Sequence, residues 1–119
     1  MFAPSNPTHG GIMIYCFDID GTICTSVENS RYEQAKPFPK MVRKINELYN
    51  CGHTIKIMTA RGCVSGKDWS DFTKRQLDDW GVQHHELIMN QKPHAHVFVD
   101  DKAINAEAFM LLLGEWNEN

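Results

Sequence analysis

Two acidic pairs close apolar runs in this chain. Asp18 and Asp20 end the run that begins at Ile12, in the string Phe17-Asp18-Ile19-Asp20-Gly21-Thr22, and Asp100 and Asp101 end His96-Val97-Phe98-Val99. Thr59 ends a third run, Thr54–Thr59. Carboxylates gathered at one place repel, and the repulsion raises the pKa of some of them. A hard divalent cation with oxygen ligands relieves it, and Mg²⁺ is the ordinary choice. The residue types thus point to a cation-assisted reaction on an anionic substrate. A single Asp at a strand end is commonly a cap or a solvated turn. Two acidic pairs with a Thr at a third strand end are harder to explain that way.

The elements must bring these groups together. Ile12–Asp18, Thr54–Thr59 and His96–Asp100 are short runs rich in β-branched and aromatic residues, and Glu86–Met89 is a weaker one. Such runs suit strands buried in a parallel sheet. Between them, Met41, Val42, Ile45, Leu48 and Tyr49 fall at helical spacing behind Pro37 and Pro39, with Gly52 as the stop. A second helix is predicted over Asp68–Trp80, with Asp68 as N-cap, Gly81 behind it, and one face made of Trp69, Phe72, Thr73, Gln76, Leu77 and Trp80. A third covers Ala106–Leu113. This order predicts an α/β fold: a mostly parallel central sheet in a three-layer, Rossmann-like arrangement with helices on both faces. Ligands of such sheets bind outside the carboxyl ends of the strands, so the acids and Thr59 should converge on one edge. Asp18 and Asp20 should share a face, if the strand stays regular that far. The link Asn90–Ala95 is short for a parallel crossover, so Glu86–Met89 is expected to be an edge stub or the link to hold one helical turn.

Asp-Ile-Asp-Gly-Thr at Asp18–Thr22 resembles the first motif of the haloacid dehalogenase superfamily. Met-Thr-Ala-Arg at Met58–Arg61 is similar to its second, Lys92 fits the third, and Val-Asp-Asp at Val99–Asp101 fits the fourth. The likeness spans Ile12–Phe109, and is greatest to small bacterial and phage-type members, some of which accompany capsule or sugar biosynthesis. Gln91 stands where that subgroup has Gly. The resemblance implies a Mg²⁺-dependent phosphatase that cleaves a phosphate monoester, and leaves open whether the phosphate sits on a sugar, a nucleotide or something larger. It makes Asp18 the nucleophile that forms an aspartyl-phosphate, and Asp20 the acid and base. Asp18, the Asp20 carbonyl and Asp100 are the implied metal ligands, and Asp101 would bind through water or hold Lys92. Thr59 and the Ala60 amide would hold the phosphoryl oxygens, Lys92 would add positive charge, and Gly21, Thr22 and Arg61 would line the substrate site. An acid at position 20 separates phosphatases from the dehalogenases, whose halide leaves without a proton. Caps in this superfamily are inserted between the first motif and the first helix, or between the second and third motifs. Gly21–Lys36 and Ala60–Gln91 are too short for a folded cap. A homo-oligomer or a bulky substrate is expected to cover the site instead.

Composition narrows the alternatives. At 119 residues the chain makes one domain, expected over Ile12–Asn119 behind a flexible lead-in, Met1–Gly11. Lys plus Arg number 12 and Asp plus Glu 15, for a net charge of −3, so no basic surface for nucleic acid is expected. No apolar run approaches a membrane span, and Met1–Gly11 lacks the pattern of a secretory signal. Cys16, Cys24, Cys51 and Cys63 form no CxxC pair, which fits reduced thiols in a cytoplasmic protein. Gly62–Asp68 is not a P-loop: three residues, not four, separate its glycines, and Asp68 follows Lys67. His84, His85, His94 and His96 have no cysteine or carboxylate at zinc spacing and are expected on the surface. A signalling receiver domain places its acidic pair first and its acceptor Asp later, the reverse of this order. A catalytically idle binding module on the same fold is the other alternative.

Overall fold

The computed structural model describes residues 11–90 and 94–101. The lead-in 1–10, Gln91, Lys92 and the expected helix Ala106–Leu113 lie outside them.

Four strands form one sheet: β1 (Ile14–Asp18), β2 (Thr54–Thr59), β3 (Glu86–Met89) and β4 (Val97–Val99), in the order β3-β2-β1-β4. Every pairing is parallel. Two helices, α1 (Pro39–Asn50) and α2 (Ser70–Asp79), and a 3₁₀ turn at Tyr32–Gln34 complete the described elements. No helix among the described residues is long and apolar enough to cross a membrane. An α/β fold with a parallel sheet is thus present.

The pairing register puts Phe17, Ile57, Leu87 and Val99 abreast on one face of the sheet. Ile45 and Leu48 of α1 and Leu77 of α2 join Phe17, Ile55 and Ile57 in one buried cluster. The third expected helix lies outside the described residues, and both described helices pack on the same face. The reason is handedness. The steps β1 to β2 and β2 to β3 run in the same direction across the sheet, and right-handed crossovers then put both helices on one side. The step from β3 to β4 reverses, crossing from one edge of the described sheet to the other. Lys56 Nζ of β2, on the opposite face, donates to the His94 carbonyl at 2.8 Å. β3 is a four-residue strand paired on β2 alone among the described residues.

Local signals acted as expected at the carboxyl ends of the helices. Gly52 and Gly81 take φ of 96° and 74°. Val82 N–H reaches back to the Leu77 carbonyl at 3.0 Å, satisfying a carbonyl of the last turn of α2. α2 begins two residues later than predicted, at Ser70. Asp68 does not occupy the cap position; its Oδ1 accepts the Ser70 backbone N–H at 2.9 Å and the Ser70 hydroxyl at 2.6 Å, one turn-like loop before the helix.

The histidines carry a role that spacing did not show. His53 Nδ1 accepts the Met13 N–H, His96 Nδ1 the Ile14 N–H, and His85 Nδ1 the Ile55 N–H, each at 3.0 Å. They satisfy backbone donors at or next to the start of β1 and near that of β2, on the edge opposite the acids.

Candidate active site

β1 lies between β2 and β4, where the strand order reverses. Such a switch point opens a crevice outside the carboxyl ends of the strands. Asp18 is the last residue of β1, and Asp100 follows β4 directly. Oxygen atoms of Asp18, Asp100 and Asp101 lie within 4.8 Å of one another. Asp18, Met58, Thr59, Ala60, Cys63, Asn90 and Asp100 line an open cleft of about 350 Å³. Asp18, Asp100, Thr59 and Ala60 thus meet at one place, although they come from three strand ends.

Electrostatics mark Asp18. Its pKa is raised from 3.8 to about 6, first by burial and then by the charge of Asp100, with smaller contributions from Asp20 and Asp101. The Ile19 backbone N–H, which donates to it, opposes the shift. The cost of ionising Asp18 here is what a bound cation would remove. Among the described residues the clustered groups are three carboxylates, a donor set of hard oxygens that fits Mg²⁺.

Gly21 shapes the same corner. Its φ is +89°, and a Cβ there would collide with the Asp101 carboxylate. Absence of a side chain is what lets Asp101 approach. The Gly21 N–H is held by the Cys24 carbonyl at 2.8 Å, and the Thr22 N–H by the Ile19 carbonyl at 3.0 Å. Thr22 is buried, and its hydroxyl has no hydrogen-bond partner. The backbone N–H groups of both residues are thus used within the turn that follows β1.

Asp20 departs from the expected geometry. β1 ends at Asp18, and the Ile19 carbonyl accepts from Thr22, Ile23 and Cys24 N–H groups in a tight turn. Strand alternation therefore stops before Asp20. Its carboxylate is not one of the three clustered groups but is gripped by Arg61: Nε donates to Oδ2 at 3.0 Å and Nη2 to Oδ1 at 2.8 Å. The Arg61 side chain is 0% exposed, so it does not line an open substrate site. The Cys24 thiol also donates to Asp20 Oδ1, at 3.6 Å. Burial, with the Asp20 charge next, pushes that thiol up to about 12, so it stays protonated.

Thr59 is buried, and its Oγ1 accepts the Arg61 backbone N–H at 3.1 Å. Thr59 also lines the cleft. Lys92, the expected cation, lies outside the described residues. Cys63 and Asn90 line the cleft without having been predicted. Asn90 follows the carboxyl end of β3 with φ of 61°, so the strand-end rule that selected Asp18 would have selected it too. Cys63 sits in a loop, and nothing in its spacing announced it.

No protein-family profile matches the chain, and no curated protein matches it. Among solved structures, a crystal structure of a structural-genomics target from Vibrio cholerae superposes with a TM-score of 0.59. The match covers 82% of this chain and 87% of that one, at 22% identity. At that identity the likeness supports the α/β fold and says nothing of activity.

Proposed function

We propose that the chain is a Mg²⁺-dependent phosphatase acting on a phosphate monoester through an aspartyl-phosphate at Asp18. The observation that carries this reading is the meeting of Asp18, Asp100 and Asp101 oxygens within 4.8 Å at the switch point of a parallel sheet. The four-motif resemblance to the haloacid dehalogenase superfamily supports it independently of the geometry.

Asp18, Asp100 and Asp101 would hold the Mg²⁺, which when bound supplies the positive charge that a phosphate dianion needs to approach a carboxylate. An Asp18 oxygen attacks phosphorus, the bond from phosphorus to the leaving oxygen breaks, and that oxygen takes the proton of Asp20. In the second half, Asp20 removes a proton from water as the water oxygen attacks phosphorus. The acyl-phosphate bond breaks, Asp18 returns to carboxylate, and inorganic phosphate leaves. Splitting one displacement into two is the general gain of covalent catalysis. The Thr59 hydroxyl and the Ala60 amide would donate to the phosphoryl oxygens.

A panel of phosphate esters that includes sugar phosphates tests the reading. Turnover should need Mg²⁺, vanish in excess EDTA and return on adding Mg²⁺. Ca²⁺, which accepts a looser oxygen geometry, should not replace it. Full activity in excess chelator contradicts the proposal.

A further inference from the structure

Arg61 is the largest fully buried side chain among the described residues. Burying a guanidinium costs several kcal/mol unless its donors are paired. Here they are: besides the fork on Asp20, Nη1 donates to Thr73 Oγ1 at 3.2 Å and to Gln76 Oε1 at 2.9 Å. The guanidinium carbon lies 4.2 Å from the centre of the Tyr32 ring. Gln76 Nε2 donates in turn to the Tyr32 carbonyl at 2.8 Å. The network thus joins Asp20, α2 and the segment between β1 and α1.

An aspartate side chain turns about two bonds, and a two-point clasp by a planar guanidinium fixes both. The fixed carboxylate stands two residues after Asp18. The geometry points to Arg61 as a positioning residue that sets the orientation of Asp20, anchored by Thr73 and Gln76 of α2 and by Tyr32. The inference rests on the phosphatase reading, in which Asp20 exchanges a proton with the leaving oxygen and with water. Small misplacements of such a group are costly, with about 1 Å worth about a hundredfold in rate.

The test separates leaving groups. An aryl phosphate releases a stable phenolate and gains little from an acid, whereas an alkyl phosphate depends on one. Turnover of both is measured for the wild type, Asp20→Asn, Arg61→Met, Arg61→Lys and the double variant Asp20→Asn with Arg61→Met. Arg61→Met should lower kcat about 10–100-fold on the alkyl ester and less than about threefold on the aryl ester. The double variant should be no slower than Asp20→Asn alone, and Arg61→Lys should recover part of the alkyl activity. A merely structural Arg61 would lower both substrates by one factor, through less folded protein, and that result overturns the inference. If Arg61→Met does not fold, Gln76→Leu decides, since it leaves the fork and removes one anchor. A selective loss on the alkyl ester supports the role, and an equal loss on both overturns it. A wild type that turns over neither ester overturns the phosphatase reading and this inference with it. Wild-type turnover with uniform losses in the variants overturns this inference alone.

Discussion

At the residue scale, the chemistry turns on what burial does to Asp18. Its pKa of about 6 against an ordinary 3.8 means that folding disfavours its ionised form. Between about pH 4 and pH 6 the folded chain keeps a proton that the unfolded chain has released. Metal-free protein should therefore lose stability as pH rises through that window and level off above it. Asp18→Asn removes the titrating group, so its thermal midpoint without metal should fall less over the same range and exceed the wild-type value above pH 6. Identical pH dependence in the two proteins would show that Asp18 is not strained by its surroundings. Asp18, Asp100 and Thr59 were legible in the sequence because the strand-end rule needs only the runs that precede them. The Arg61 pair was not, since Arg61 and Asp20 stand 41 positions apart and meet through a turn that breaks strand alternation after Asp18. The histidine acceptors were hidden for the same reason: His96 and Ile14 are 82 positions apart.

At the scale of elements, the turn after β1 is the most exacting piece. Gly21 sits at positive φ with the Asp101 carboxylate over its Cα. Gly21→Ala should cost about 1–3 kcal/mol in stability, from the left-handed backbone alone. It should also weaken Mg²⁺ binding, because the new methyl group displaces Asp101. Denaturant melts and Mg²⁺ titration would measure the two effects separately; a variant that melts and binds like the wild type contradicts this account of the corner. Strand and helix existence was readable from apolar spacing, and β2 and β3 match their predicted limits. The start of α2 shifted because Asp68 satisfies Ser70 from outside the helix. Which face of the sheet each helix takes depends on strand order, which periodicity along one chain does not contain.

At the scale of the whole molecule, the described residues put little over the cleft. Between β1 and α1 the chain forms only the turn at Tyr32–Gln34, and between β2 and β3 the one helix α2. Neither segment holds a folded cap, as their lengths implied. An open site leaves charges exposed to water, which weakens electrostatic stabilisation. Val64, close to Cys63 at the cleft, is fully exposed at 101%. Light scattering should give a mass above that of one 13.6 kDa chain if a second copy supplies the cover, or a single-chain mass with a preference for bulky esters if the substrate does. A strict monomer selective for a small sugar phosphate would contradict both and assign closure to the chain's own loops.

The central claim is a covalent phosphoryl group on Asp18. Acid quenching during turnover of a good substrate with Mg²⁺, followed by peptide mass spectrometry, tests it most directly. The account predicts a phosphoryl adduct on Asp18, absent in Asp18→Asn, whose turnover should fall by about three orders of magnitude or more while its fold is kept. An adduct on another residue, or an Asp18→Asn variant that keeps more than about a tenth of wild-type activity, would contradict it.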